Sequence, residues 1–204
     1  MQINFTPASK IVYTIDTVSP PAAWQSMLQD LEHLPWNCER TIGDQDQYAV
    51  SCLAPRVIWQ DCALRQFQEY FTAPTFKQQL LDVLFANQEF LLAWSGPDRD
   101  CVDTVTKLGV NWVATPARYD HHPWHTDSRN QMAFGMIYFT EQDNALHSTW
   151  FDTGHLGHLL RIPSAPGQGW MVVNTDQARH CGMNDTEHVR YSLKFSLDLA
   201  VKKN

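Results

Sequence analysis

His125, Asp127, His180, Arg190 and Ser192 are the residues of this chain whose types and spacing could do chemistry together. His125-Thr126-Asp127 is the one His-x-Asp in the sequence. On extended backbone, side chains two apart point the same way, so an imidazole and a carboxylate reach a common point. His180 would complete a set of two histidines and a carboxylate on one side of a metal, with the opposite side open. From Val189 the apolar residues alternate without a miss through Tyr191, Leu193, Phe195, Leu197 and Leu199, which is the period of a half-buried strand. Arg190 and Ser192 therefore share its other face. A guanidinium binds a carboxylate bidentately and a nearby hydroxyl takes a remaining lone pair, so the two form an anion clamp. The turn-prone Gly182-Met183-Asn184-Asp185 lies between His180 and Arg190. It predicts a final antiparallel pair, Gly169 to His180 against Val189 to Leu199, with metal ligand and clamp as neighbours.

His125-x-Asp127, then His180, then Arg190 ten residues on and Ser192 two further, resembles the 2-oxoglutarate and Fe(II)-dependent dioxygenases. Gly169-Trp170-Met171-Val172-Val173-Asn174 looks like the strand that leads to the distal histidine in that family. Residues 136–144 resemble its second core strand and turn. The resemblance covers roughly residues 110 to 200. It implies a double-stranded β-helix, or jelly roll, mainly β with N-terminal helices packed on one sheet. It also implies Fe(II) on His125, Asp127 and His180, with 2-oxoglutarate chelating the metal and its distal carboxylate on Arg190 and Ser192. Dioxygen takes the last position, and the products are succinate, carbon dioxide and a hydroxylated substrate. Tyr138 and Thr115 are the implied neighbours of the co-substrate, although a register slip of one residue would put Phe139 inward in place of Tyr138. Halogenating relatives carry a small residue where this chain has Asp127, so the resemblance implies hydroxylation. Prolyl-hydroxylase-like members share the strand pattern, but their Gly-Gly-Glu-Thr segment is replaced here by His147-Ser148-Thr149-Trp150-Phe151, a departure from a prolyl substrate.

Other residues near the triad have competing readings. Arg118 lies on the approach to it, where it could hold an anionic or carboxylate-bearing substrate or sit in a surface ion pair. Trp124 could line the substrate mouth or simply pack. His121 and His122 read as pocket wall or surface, because the His-x-Asp register belongs to His125. Cys181 follows a proposed ligand, and adjacency on a strand turns it away from the metal. The alternative for the whole site is a cupin-like jelly roll that binds metal or ligand without turnover. Arg190 with Ser192 tilts against it, since a structural metal is more often closed by protein ligands.

The rest of the chain must build a scaffold for these groups. Its 204 residues are 44% hydrophobic and 18% charged, with eight tryptophans, which describes a globule of a single domain. No apolar run approaches the roughly 20 residues of a membrane span, and the amino terminus lacks a signal-peptide pattern, so a cytoplasmic location is expected. The net charge of −7 disfavours nucleic acid. A small molecule, an amino acid or a peptide side chain is the expected substrate. Five cysteines without close CxxC spacing read as reduced thiols.

The periodicity predicts a strand over 11–16 and an amphipathic helix over 20–34. A β-leaning stretch follows at 47–53, then helices near 60–71 and 75–86. From 110 onward the pattern is short strands: 111–115, 132–140, 148–151, 159–162, 169–174 and 189–199. Residues 1–109 read as a helical and β support layer and 110–200 as the jelly-roll core. If Arg190 and Ser192 face inward, Tyr191, Leu193 and Phe195 face outward and need a helical cover.

Overall fold

The computed structural model describes residues 2–18, 21–34, 36, 38–41, 49–53, 63–94, 96, 98–117, 124–140, 148–152, 158–182 and 187–200. In chain order these form β1 (Gln2–Pro7), β2 (Val12–Val18), α1 (Pro21–Glu32), β3 (Cys38–Thr41), β4 (Ala49–Leu53), α2 (Ala63–Thr72), α3 (Pro74–Phe85), α4 (Gln88–Ala93) and α5 (Arg99–Val105). They continue as β5 (Thr106–Thr115), β6 (Gln131–Tyr138), β7 (Ser148–Asp152), β8 (Leu159–Pro163), β9 (Gln168–Val173), β10 (His180–Gly182) and β11 (Arg190–Leu199). Arg118, His121, His122, His147 and the turns at 141–144 and 183–185 lie outside the described residues, as do 47–48 and 60–62 at the starts of expected elements.

The expected strands and helices are present with shifted ends. Helix α1 stops at Glu32, two residues short of the expected end. Helix α3 opens with Pro74 in its first turn, where the missing N–H costs no hydrogen bond. Helices α4 and α5 were not expected, yet each carries a readable start. Asn87 and Asp98 accept from the backbone N–H of Phe90 and Cys101, both at 2.9 Å, and so cap an orphan donor.

All the strand pairings among the described residues are antiparallel. An eight-stranded sheet runs β1-β2-β9-β6-β11-β5-β4-β3, and a three-stranded sheet runs β10-β7-β8. The N-terminal strands extend the same large sheet at both edges rather than forming a separate layer. The expected hairpin between the two last strand stretches is not formed. Strands β9 and β11 both flank β6, and His180 stands in the small sheet on β7. A Gly-rich turn signals that the chain reverses but not which strand edge receives it. Here the chain crosses to the other sheet, where β7 has a free edge, and only afterwards returns as β11.

Strand β11 is central, paired with β5 on one side and β6 on the other. Its apolar alternation buries Leu193, Phe195 and Leu197 on one face. Phe195 lies against Phe71 of α2 and Phe76 of α3, with ring centroids 6.2 and 5.2 Å apart. Trp112 of β5 joins the same layer through Phe139, and its indole N–H donates to Gln68 Oε1 at 3.0 Å, so no polar group is stranded there. Each such buried aromatic contributes on the order of 2–3 kcal/mol relative to exposure. The opposite face of β11 carries Arg190, Ser192, Lys194 and Ser196 and looks into the space between the sheets. No described helix is long and apolar enough to cross a membrane.

Candidate metal centre

His125 and His180 meet as an isolated antiparallel bridge that joins the metal loop to the small sheet. Each backbone N–H donates to the other residue's carbonyl, at 3.1 and 2.9 Å. Such a doubly bonded pair places its side chains next to each other, and the two imidazole centroids are 4.3 Å apart. Only His125 of the His-x-Asp makes a ladder contact. Residues 126–128 have left extended pairing, so Asp127 is brought back by a loop, not by the strand period the sequence suggests. Its Oδ1 lies 3.6 Å from His125 Nε2. One ligand atom from each of His125, Asp127 and His180 lies within 4.8 Å of the others.

The surroundings prepare these groups as ligands. His180 is buried, with its ring among Phe134, Phe151 and Trp170. Burial, and then the neighbouring His125, push it down to about 4, so the imidazole is neutral near pH 7. Its Nδ1 is 3.3 Å from the Ala178 carbonyl, which fixes the proton there and leaves Nε2 with a lone pair for a metal. Burial pushes Asp127 up, but the His125 contact and the charge of Lys194 outweigh it and hold the carboxyl well below the usual range.

Arg190 and Ser192 are almost fully buried on the inner face of β11. Thr115, also buried, is the register partner of Arg190 on β5, and Tyr138 is that of Ser192 on β6. The structure decides the Tyr138 and Phe139 register. Tyr138 faces inward, its ring 5.6 Å from the Arg190 guanidinium. Its phenol oxygen accepts from Trp170 Nε1 at 2.7 Å and shares a 2.5 Å hydrogen bond with Thr149 Oγ1. Phe139 faces outward against Trp24, Phe67 and Trp112. Across the gap, Gly182 lies close to the Arg190 guanidinium, so β10 and β11 face each other without pairing. Trp124 is exposed beside His125.

Lys194 was not anticipated as a site residue. Its Nζ is 3.3 Å from Asp127 Oδ2 and 5.8 Å from the centre of the Phe134 ring. The signal was present, because the alternation that puts Arg190 and Ser192 inward also puts Lys194 inward. A groove of about 420 Å³ has Asp127 in its wall, with Trp94, Thr126, Arg129 and Asn174 among its other lining residues. That volume suits a small ligand or a side chain.

Two nitrogen donors and a carboxylate on one side suit a divalent transition metal with open positions, Fe(II) among them. The residues present also fit a dicarboxylate co-substrate. Arg190 supplies the charge, and Ser192 Oγ is a buried hydroxyl that makes no hydrogen bond among the described residues.

No family model matches the sequence, and no curated protein matches it. Solved structures do match in fold. A Pseudomonas putida prolyl-4-hydroxylase aligns with a TM-score of 0.62 at 11% identity, over 92% of this chain and 92% of that one. A Trichoplax adhaerens prolyl hydroxylase, in complex with a hypoxia inducible factor peptide, aligns at 0.65 and 8% identity over 93% and 84%. The Arabidopsis thaliana dioxygenase for auxin oxidation, bound to 2-oxoglutarate, aligns at 0.60 and 10% identity over 90% and 79%. The architecture, mostly antiparallel β with some helices, is therefore the jelly-roll fold of these oxygenases.

Proposed function

We propose that this protein is a non-haem Fe(II) and 2-oxoglutarate-dependent dioxygenase that hydroxylates a small molecule, an amino acid or a peptide side chain. The observation that carries this reading is the convergence of His125, Asp127 and His180 opposite an inward Arg190 and Ser192 on the neighbouring sheet. His125, Asp127 and His180 hold the metal. Arg190 and Ser192 take the distal carboxylate of 2-oxoglutarate, and Tyr138 and Thr115 wall that pocket. When bound, iron and 2-oxoglutarate supply the activation of O2 and the oxidation itself.

The chain's own residues do the rest. The His180 tautomer is set by Ala178, so the ring binds metal without first losing a proton. The carboxylate of Asp127 is held by Lys194 on its second oxygen, which orients the first toward His125. Phe134, Phe151 and Trp170 keep water from the inner side of the metal position. Arg190, stacked over Tyr138, fixes the co-substrate end on, so that orientation is set before reaction.

The helices serve as a support layer on the outer face of the large sheet, and the chain works as one domain, in the cytoplasm and without nucleic acid. Support for a peptide or small-molecule substrate comes from the similar folds, one captured with a peptide and another named for auxin oxidation. Arg118 and Trp124 are the substrate-side residues of this reading. The test is a mass-spectrometric screen of amino acids, peptides and metabolites with Fe(II) and 2-oxoglutarate. One oxygen atom gained by a substrate, matched by succinate, is the expected result. Loss of both in His125→Ala places the reaction at this centre.

A further inference from the structure

Three segments from distant parts of the chain close around the groove that has Asp127 in its wall. Trp94 comes from the end of α4, Asp127 and Arg129 from the loop that carries the carboxylate ligand, and Asn174 and Asp176 from the turn after β9. Asn174 ties the three together. Its Nδ2 donates to the carbonyls of Ser128 and Gln131, at 2.9 and 2.7 Å, and its own carbonyl accepts from Trp94 Nε1 at 3.3 Å. Asn174 is buried, so the walls are set before a ligand arrives, which lowers the ordering cost of binding.

The walls differ in chemistry. Trp94 spends its indole N–H on Asn174 and is only half-buried, which leaves ring surface in the groove for a hydrocarbon group. Arg129 and Asp176 stand at the rim, with Nη2 3.8 Å from Oδ1 and both side chains more than nine-tenths exposed. An exposed pair of that length is held weakly and opens to other partners at little cost. One positive and one negative charge therefore lie side by side above an apolar wall. That pattern complements a zwitterion, because a guanidinium takes a carboxylate and a carboxylate takes an ammonium. A residue inside a peptide carries neither charge on its α-carbon. Arg129 follows Asp127 by two residues, so at most about 7 Å of chain separates the rim from the metal ligand. An amino acid held at the rim by its α-groups can span that depth with its side chain.

Resting on the proposed reaction, we propose that this groove is the substrate site and that the substrate is a free amino acid with an apolar side chain. Its α-carboxylate lies on Arg129, its α-ammonium on Asp176, and its side chain runs along Trp94 toward the metal. The last segment of the N-terminal helices thereby belongs to the substrate site as well as to the scaffold.

The experiment uses the full chain loaded with Mn(II) and 2-oxoglutarate, without O2, and follows metal-induced broadening of ligand proton signals by NMR along a ligand titration. The probes are free leucine, methionine and phenylalanine. Each is compared with its primary amide, which keeps only the ammonium, and its N-acetyl form, which keeps only the carboxylate. The expected result is that at least one free amino acid is broadened, and that both of its blocked forms bind about 5-fold more weakly or worse. Arg129→Gln should bring the free amino acid down to the level of its amide, and Asp176→Asn down to the level of its N-acetyl form. Neither residue is a metal ligand or part of the co-substrate clamp, and the 2-oxoglutarate signals, broadened in the same samples, report that each variant is loaded. Free and blocked forms broadened alike, blocked forms preferred, no amino acid broadened, or a preference that survives both substitutions would overturn the amino-acid site alone. Absence of 2-oxoglutarate broadening in the wild type would instead remove the dioxygenase reading on which it rests.

Discussion

His125 and His180 hydrogen-bond to each other through both backbones, and their imidazole centroids stand 4.3 Å apart. The bonds that hold them belong to the main chain, so the side chains are positioned whether or not a metal is present. This separates the cost of losing a ligand from the cost of losing the fold.

His125→Ala, at a half-buried site, is expected to abolish Mn(II) or Fe(II) uptake while shifting stability by about 1 kcal/mol or less. His180→Ala should also abolish uptake, but it removes a ring packed among Phe134, Phe151 and Trp170 and should cost about 2–3 kcal/mol. Calorimetric metal titration and urea unfolding on each variant make the comparison. Full metal affinity in His125→Ala would place the metal elsewhere.

The metal-free protein should lose stability on mild acidification. His180 is held down to about 4, first by burial, while in the unfolded chain it titrates near the ordinary value of 6.5. Between those values the unfolded chain gains a proton that the folded chain refuses, so stability falls as pH drops through the window and is fully present above it. The loss is about 3 kcal/mol. Asp127 stays charged throughout, because its carboxyl is held well below the usual range. Unfolding free energies from urea titrations at about pH 7.5 and about pH 4.5 should differ by this amount, and His180→Asn should reduce the difference. Equal free energies in the wild type contradict the burial argument.

Arg190→Ala should weaken 2-oxoglutarate binding to the Mn(II)-loaded protein by about 30-fold or more, since breaking a buried charge-assisted pair costs about 2–5 kcal/mol. Metal affinity should change little, because Arg190 is not among the ligands. Titration of each in turn is the measurement. An unchanged co-substrate affinity would mean the dicarboxylate binds elsewhere.

Gly169→Ala tests the sheet that carries the site. A methyl group there would run into the Met136 backbone and the Ile137 side chain, at the register where β9 meets β6. The expected cost is about 3 kcal/mol, with a poorer site as β6 shifts. Gly182→Ala, whose new Cβ would meet among the described residues only the Arg190 guanidinium at an ordinary 3.5 Å, should cost about 1 kcal/mol or less. Unfolding midpoints for the two variants should therefore separate clearly.

The sequence by itself determined which residues could cooperate. The His-x-Asp, the later His180 and the Arg190 and Ser192 spacing are local facts of type and order, and the period of two along Val189 to Leu199 settles their common face wherever the strand lies. The same period placed Lys194 beside them, and it was passed over because its partner, Asp127, is 67 residues away in the chain. Pairing is a tertiary property. Nothing local says that β9 and β11 both choose β6, or that His180 closes the opposite sheet on β7, because any free edge with matching faces competes for a strand. The inward choice of Tyr138 over Phe139 was settled the same way. A one-residue slip exchanges them, and only the Trp170 and Thr149 partners on one side and the Trp24, Phe67 and Trp112 rings on the other make one register the stable one.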